Sequence, residues 1–189
     1  KYLGTYPSNF KELGLLKFFN LSNFIKKGKC KFGLVFNTEP HYIKTGHWVS
    51  LFIEKKWKTL NIEYFDSYGT TNSTVGNGHS GLSVPHNKVV APRDMPLRGM
   101  SVRTTLNSQM AKEFQDLINI INNQGKNLGL KVNLKINKKR HQMSETECGV
   151  YSIFFIVKRL QNISFEQINA GKISDNQMRG YRKTIMNSQ

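Results

Sequence analysis

The strongest constraint on the fold of this chain is an apolar pattern that follows Cys148. Bulky apolar side chains return at every third or fourth position, the spacing of one helix face: Val150, Ile153, Phe154, Val157 and Leu160. The pattern predicts a buried helix over 149–161 that begins directly after the cysteine. Any fold of this chain must therefore pack this helix against a second layer, with Cys148 at its N-terminus.

A cysteine at a helix N-terminus lies beside backbone N–H groups that have no partner within the helix, and beside the positive end of the helix dipole. Both stabilise the thiolate and lower the pKa of the thiol, so Cys148 is a candidate nucleophile. Glu145 and Glu147 oppose this effect unless they point into solvent. The alternative is a small buried core cysteine, but the polar run over 144–147 disfavours a dry, inert pocket.

A histidine and an aspartate stand where a β-hairpin would bring them together. His47 precedes an apolar segment of strand length at 48–54, and Asp66 follows a second strand over 57–65. With a tight turn near 55–56 the strands pair antiparallel, so the start of one lies beside the end of the other. His47 is then the candidate base, and Asp66 is the carboxylate that orients its imidazole.

Both residues also have simpler interpretations. His47 is one of five histidines and, taken alone, would be interpreted as a surface side chain. Asp66 begins an Asp-Ser-Tyr-Gly run that is typical of a turn. A turn role and a catalytic role are compatible for Asp66, and the case for His47 depends on the whole constellation.

Two further side chains complete the candidate site. Gln142 lies six residues before Cys148, where its amide N–H and the backbone N–H of Cys148 would stabilise a developing oxyanion. The alternative is a solvated glutamine that follows the basic run 138–141. Trp48, next to the candidate base, is either a core aromatic side chain or the wall of a narrow substrate groove.

The whole pattern predicts an α+β fold with a central, mostly antiparallel β-sheet flanked by helices, in a single domain over residues 1–189. Besides the elements named above, strands are predicted at 32–38 and 130–136, and helices at 103–123, 164–170 and 174–186.

Two segments receive a looser interpretation. Residues 1–31 are interpreted as a helical or irregular N-terminal segment, and residues 69–100, rich in Gly and Pro, as a long insertion loop. A loop of that length is either functional, as a lid over the cleft, or a disordered excursion. The chain begins with Lys1 rather than Met, so we expect a fragment or a trimmed product, with room for an upstream domain outside this chain.

The order His-Trp, Asp at a strand end, then Gln with five residues before Cys-Gly resembles the ubiquitin-like-protein (SUMO) proteases and adenain, the adenovirus protease. The chain resembles the African swine fever virus polyprotein protease more specifically. The phrases that carry this likeness are Gly46–Val49, Ile62–Phe65, Arg140–Gln142, Thr146–Gly149, Asn162–Phe165 and Ile173–Asp175. The likeness extends over residues 32–68 and 130–186.

This resemblance implies a papain-like catalytic core with Cys148 as nucleophile, His47 as base, Asp66 as orienting group and Gln142 as oxyanion donor. It also implies that Trp48 covers the tunnel that holds paired glycines of the substrate. The swine fever enzyme has asparagine at the position of Asp66, whereas the SUMO proteases have aspartate. A carboxylate orients the imidazole and stabilises its cation, so this departure agrees with the triad.

By the same resemblance we expect a viral cysteine endopeptidase that matures structural precursor proteins, cleaving after Gly-Gly. No cofactor is expected to be required, although DNA or a peptide is a candidate activator. The expected locations are the host cytoplasm, at the virus factory, and the virion. The two cysteines, Cys30 and Cys148, agree with a reducing compartment because Cys148 must stay free. No metal-binding motif and no membrane-spanning run are present in the sequence.

The net charge of +16 is unusual for a protease core. Lysines and arginines cluster at 26–31, 135–140 and 172–183, and such clusters suit a polyanion, most simply DNA. By resemblance, adenain is stimulated by DNA. The alternative is solvated charge that reflects a Lys- and Asn-rich composition and forms no dedicated site.

Three other functions remain open at this point. One is a deconjugase for a host ubiquitin-like modifier, and another is an acetyltransferase built on a similar triad. The third belongs to a different class: a basic DNA-binding virion protein with a degenerate, inactive protease fold. An intact set of four chemical groups argues against that last alternative.

Overall fold

The computed structural model describes residues 1–16, 19–44, 46–69 and 112–186. Over these residues a five-stranded sheet, in the order β1-β2-β3-β4-β5, lies between helices. In chain order the elements are β1 Tyr2–Tyr6, α1 Leu21–Lys26, β2 Lys31–Asn37, β3 Trp48–Lys56, β4 Thr59–Phe65, α2 Lys112–Asn127, β5 Lys131–Ile136, α3 Cys148–Leu160, α4 Phe165–Ala170 and α5 Asp175–Met186.

The pairing of the sheet is mixed. β3 pairs antiparallel with both β2 and β4, as predicted. At the two edges of the sheet, β1 pairs in parallel with β2, and β5 pairs in parallel with β4. A parallel neighbour needs a crossover rather than a hairpin, and α2 lies between β4 and β5 in the chain. The fold class predicted from the sequence, a central sheet flanked by helices, is confirmed.

The predicted hairpin is present, but its turn lies two residues further along. Lys56 pairs with Thr59, so the turn consists of Trp57 and Lys58 rather than residues near 55–56. Trp57 has a φ of 50° and is 93% exposed. A bulky residue with positive φ is uncommon, and neither Gly nor Asn marks this turn in the sequence.

The interpretation of residues 1–31 as helical or irregular was wrong for its first residues, which form β1 and pair in parallel with β2. The strand is short and interrupted: Gly4 has a φ of 139° and the register shifts between Tyr2 and Gly4. Its pairing depends on a distant strand, which local patterns do not encode. The predicted loop from residue 70 to 100, and the predicted helical residues 103–111, lie outside the described residues.

Each face of the sheet packs against its own helices. One face carries alternate strand residues such as Phe36, Leu51 and Ile62 and packs on α1 and α2. The other face carries Val35, Phe52 and Phe65 and packs on α3, α4 and α5, with Phe65 stacked on Phe155 at a centroid distance of 4.7 Å. The result is a three-layer arrangement in which α3 lies directly on β3 and β2.

A buried ion network fixes α3 against the hairpin. Arg159 of α3 donates to Glu54 of β3 at 2.9 Å and to Glu63 of β4 at 2.5 Å, and all three side chains are at most 5% exposed. Arg159 also donates to the carbonyl of Ile163 at 2.6 Å. Because α3 begins at Cys148 and the hairpin is flanked by His47 and Asp66, this network joins the two elements that carry the halves of the site.

Candidate active site

The open end of the hairpin brings the predicted base and the predicted orienting group together. His47 immediately precedes β3, and Asp66 immediately follows β4. Nε2 of His47 lies 2.7 Å from Oδ1 of Asp66, and both side chains are 19% exposed. Thr38 closes the strand ladder beside them, since its amide donates to the carbonyl of His47 at 2.8 Å and its hydroxyl accepts from the amide of His47 at 3.1 Å.

Asn137, which directly follows β5, holds the backbone of Asp66. Its side-chain oxygen accepts from the amide of Asp66 at 2.8 Å, and its Nδ2 donates to the carbonyl of Asp66 at 2.6 Å. Asn137 is 2% exposed. Sequence reasoning missed this residue, because its role follows from the parallel pairing of β4 and β5 and not from a local motif.

Cys148 is the first residue of α3 and is 6% exposed. Burial alone would raise the pKa of its thiol, but hydrogen bonding to His47 and to the backbone of Trp48 and Gly149 lowers the pKa below its ordinary value. The surroundings of the thiol, at the N-terminus of α3, therefore favour its ionised form.

His47 shows the complementary shift. Burial alone would lower the pKa of its imidazole, but hydrogen bonds with Asp66 and Cys148, together with their charges, raise the pKa to about 9. Because Nε2 is bound to Asp66, Nδ1 is the ring nitrogen that remains for the Cys148 thiol. Opposite shifts in the two partners favour a thiolate–imidazolium pair at neutral pH.

Gln142 is fully buried beside this pair rather than solvated. Its Oε1 accepts from the hydroxyl of Ser67 at 2.5 Å, and its Nε2 donates to the carbonyl of Ser144 at 2.7 Å and lies 3.4 Å from the hydroxyl of Tyr68. Both amide hydrogens are thus directed at groups of the protein. The structure brings Gln142 into the wall of the site and leaves its donor bonded to the loop that precedes Cys148.

Tyr68 is the site residue that the sequence interpretation assigned only to a turn. The turn exists, since the amide of Gly69 donates to the carbonyl of Asp66 at 2.9 Å and Gly69 has a φ of 73°. However, the ring of Tyr68 also stacks on the imidazole of His47, with a centroid distance of 4.6 Å and an interplanar angle of 27°. An aromatic residue two positions after the orienting carboxylate was the available signal.

Helix α5 holds the loop between Gln142 and Cys148 at two points. Near its start, the carboxylate of Asp175 accepts from the amides of Met143 and Ser144, at 3.1 Å and 2.9 Å. Near its end, Arg182 lies 3.1 Å from the carboxylate of Glu147. Glu147 is 3% exposed, so it does not point into solvent, and the guanidinium of Arg182 compensates its charge instead.

Trp48 is half-buried at the rim of a cavity next to the candidate base. Its indole packs on Gly149, where a Cβ would come within 3.6 Å of Cδ1. On its other side a cavity of about 310 Å³ is lined by Trp48 together with Tyr6, Pro40, Ile43 and others. Trp48 therefore contacts the core through the α3 N-terminus and also borders open space, as a groove wall would.

Two sequence-based expectations concern features other than the site itself. No described helix is long and apolar enough to cross a membrane. The described side chains also form no group of three or more His, Cys, Asp or Glu residues that could hold a metal ion.

Comparison with known proteins finds relatives among the proteases of a large DNA virus, while no family model matches the chain. The chain is 28% identical over 158 residues to the "SUMO-1 cysteine protease S273R" of a South African tick isolate of African swine fever virus, covering 84% of this chain and 44% of the relative. The "Cysteine protease S273R" of the Badajoz strain matches with the same identity and coverage.

Solved structures of the same viral protease share the fold. The crystal structure of the selenomethionine form of the African swine fever virus pS273R protease aligns with a TM-score of 0.52 and 25% identity, over 81% of this chain and 42% of that one. A second crystal structure of that protease aligns with a TM-score of 0.53 over 95% of this chain and 56% of that one. The chain is thus homologous to the S273R proteases in sequence and fold, and it spans less than half the length of the curated relatives it matches.

Proposed function

We propose that the chain, as a homologue of the S273R cysteine proteases, is a cysteine endopeptidase. One observation carries this proposal: His47 is bonded to Asp66 at 2.7 Å, and its imidazole also interacts with Cys148, which is buried at the N-terminus of α3. The three groups come from three separate elements, and together they form the arrangement in which a base, oriented by a carboxylate, activates a cysteine nucleophile. The names of the homologues support the same chemistry.

In the proposed reaction, the Cys148 thiolate attacks the carbonyl carbon of the scissile peptide bond and forms a tetrahedral oxyanion. The imidazolium of His47 gives its proton to the leaving nitrogen as the C–N bond breaks, which releases the amine product and leaves a thioester on Cys148. His47, now neutral, takes a proton from water as the water attacks the thioester. Release of the carboxylic acid product restores the thiolate and the imidazolium, and Asp66 stabilises the imidazolium whenever it forms.

The proposed oxyanion donors are the backbone amide of Cys148 and Nε2 of Gln142. Nε2 now donates to the carbonyl of Ser144 at 2.7 Å and lies 3.4 Å from the hydroxyl of Tyr68, so this role requires one of these two contacts to open when substrate binds. The loop that carries Ser144 is anchored by Asp175, which gives the carbonyl a defined position from which the amide can turn. The proposal therefore predicts that Gln142 contributes to turnover more than to the binding of substrate.

The proposed substrates are viral structural precursor proteins with Gly-Gly cleavage sites. Trp48, which follows His47 in the chain, contacts Gly149 and borders a cavity, and this position supports the role of covering the paired glycines of a substrate that the resemblance implies. The printed name of one relative, a SUMO-1 cysteine protease, supports a competing substrate of the ubiquitin-like class. Both would end in small residues ahead of the scissile bond.

Activation and location belong to the same proposal. We propose that the enzyme requires no cofactor, that DNA or a peptide activates it, and that it acts in the host cytoplasm and the virion. The net charge of +16 supports a polyanion partner. The exposed thiol of Cys30 and the nucleophilic thiol of Cys148 are both free, which suits a reducing compartment.

The test is cleavage of fluorogenic peptides with Gly-Gly ahead of the reporter, with and without DNA, alongside a SUMO-type fusion substrate. Cys148→Ala and His47→Ala should each abolish cleavage, whereas Cys30→Ser, which changes the other thiol, should not. Cleavage that survives Cys148→Ala would reject the proposed nucleophile. Salt-sensitive DNA binding with no cleavage of any substrate would instead favour a DNA-binding protein with an inactive protease fold.

A further inference from the structure

We propose that Tyr68 is a positioning residue of this site: its ring holds the imidazole of His47 in its cationic, Asp66-bound state, and its hydroxyl ties the oxyanion loop to the same unit. The inference rests on the proposed function and deepens it. Tyr68 contacts the base and the wall of the oxyanion site, and its backbone contacts the orienting carboxylate.

The ring of Tyr68 contacts the imidazole of the candidate base. The Tyr68 ring lies over the His47 imidazole at 4.6 Å between centroids, inclined by 27°. The face of an aromatic ring is electronegative, so it attracts a cation placed over it more than a neutral ring. Stacking also restricts rotation of the imidazole about its bond to Cβ. Both effects favour the imidazolium with Nε2 directed at Asp66.

The hydroxyl of Tyr68 contacts the loop that leads to Cys148. The Tyr68 hydroxyl donates to the carbonyl of Ser144 at 3.1 Å and lies 3.4 Å from Nε2 of Gln142. Ser144 belongs to the loop that leads to Cys148 and also accepts the Gln142 amide at 2.7 Å. The carbonyl of Ser144 thus accepts from both Tyr68 and the proposed oxyanion donor. When Gln142 turns to a substrate, the Tyr68 hydroxyl remains to satisfy that carbonyl.

The backbone of Tyr68 contacts the orienting carboxylate. The amide of Tyr68 donates to Oδ1 of Asp66 at 2.8 Å, the same oxygen that accepts from His47. A second donor to the same oxygen fixes the direction of the carboxylate. The turn thus places the ring over the imidazole and the amide on the carboxylate at once, which a residue elsewhere in the chain could not do.

Other charged and titratable groups also face this unit. Asp66, at the end of β4, is bonded to the imidazole, and Cys148 of α3 also acts on it. The guanidinium of Arg140 lies 5.1 Å from the centre of the Tyr68 ring, and Glu145 also acts on Tyr68 through its charge. Glu39 packs on Gly46, beside the base. These groups are unchanged in the variants below, so a shift between variants reports the change at Tyr68.

The test follows the rate of alkylation of Cys148 by iodoacetamide against pH, in a Cys30→Ser background that removes the exposed thiol. This measurement needs no peptide substrate. A thiolate–imidazolium pair gives two steps, one for loss of the thiol proton and a second, at higher pH, for loss of the imidazolium proton. Tyr68→Leu and Tyr68→Met remove the aromatic face, whereas Tyr68→Phe keeps the face and removes only the hydroxyl.

In Tyr68→Leu and Tyr68→Met we expect the pH midpoint of the upper step to fall by roughly half a pH unit to one pH unit, which is the effect of removing one cation–π interaction. Tyr68→Phe should keep the upper midpoint of the wild type. An unchanged midpoint in all three variants, with circular dichroism and thermal unfolding like the wild type, would overturn the assignment, as would an equal fall in Tyr68→Phe. A wild type with one step in the ordinary thiol range would contradict the proposed Cys148–His47 pair itself.

Discussion

At the scale of single residues, the site depends on a carboxylate that acts through an imidazole. Asp66 bonds to Nε2 of His47 at 2.7 Å, and its charge helps to raise the pKa of His47 to about 9. The hydrogen bond orients the ring, and the charge stabilises the cation. Asparagine at this position would keep the first effect and lose the second.

Asp66→Asn tests this division. Without the negative charge the pKa of His47 should fall from about 9 towards its ordinary value, so the imidazolium loses its proton at lower pH and the alkaline limb of the kcat/KM profile moves down. We expect at least about a tenfold loss of kcat/KM at pH 8. The pH profile of peptide cleavage measures this.

Asp116→Asn is the matched control, because Asp116 of α2 forms an exposed ion pair with Lys11. The alkaline limb of the kcat/KM profile of this variant should remain at the wild-type position. An Asp66→Asn enzyme whose alkaline limb also stays in place would mean that the charge of Asp66 does not set the protonation of the base.

The residues that could be placed from the sequence are those whose position is encoded locally. Cys148 could be placed from the helical pattern behind it, and His47 and Asp66 from the hairpin. Asn137 could not be, because its role comes from contacts with a segment far away in the sequence. For Tyr68 the sequence offered only the weak signal of an aromatic residue two positions after Asp66, and its stacking on His47 was not predicted. The hydrogen bond of Gln142 to Ser144 could not be predicted from the sequence either, since it depends on how α5 holds the loop between Gln142 and Cys148.

At the scale of secondary-structure elements, α3 is held by charge as well as by apolar packing. Arg159 lies between Glu54 and Glu63, two buried carboxylates on neighbouring strands. Burial raises the pKa of Glu63, opposed by its bonds to Arg159. Breaking such a network by removing one partner leaves buried charge without compensation, which costs more than the intact network contributes.

Arg159→Met should therefore lower the free energy of unfolding by about 3–5 kcal/mol. Urea unfolding monitored by circular dichroism measures this loss. The triple variant Arg159→Met, Glu54→Gln, Glu63→Gln removes the charges together and should recover part of it. A single variant that unfolds at the wild-type urea concentration would show that the network adds nothing to the position of α3.

The boundaries of elements followed the same rule as the residues. The predicted helices 149–161, 164–170 and 174–186 match α3, α4 and α5 to within one residue, because amphipathic patterns and the Ser164 capping box are local. β1 was missed because it pairs, among the described strands, with β2, some thirty residues away in the chain.

At the scale of the whole molecule, one cluster of exposed lysines lies where α4 and the end of β5 meet. Lys138, Lys139 and Lys172 are exposed there, on the side of the sheet that carries α3 and the site. Exposed lysines on one side attract a polyanion over a range set by ionic strength. A duplex bound on this side would lie near the groove rather than behind the sheet.

If DNA binds there, its affinity should fall steeply with salt. Lys138→Gln with Lys172→Gln should reduce the slope of log K against log salt by about 0.9 for each phosphate that the protein no longer neutralises. Fluorescence anisotropy with a labelled duplex, over a range of salt concentrations, measures the slope. Lys126→Gln, at the exposed end of α2 on the other face, serves as the control. Equal slopes in all proteins would exclude this surface.

The order of strands has a consequence for how the chain can be divided. His47 and Asp66 come from residues up to 69, whereas Gln142 and Cys148 come from residues after 112, and β4 and β5 join the two parts side by side over six register pairs. Neither part alone carries both a nucleophile and a base. Expressed as two polypeptides, they would hold a complete set of catalytic groups only when associated, so their turnover would report the proximity of any two proteins fused to them.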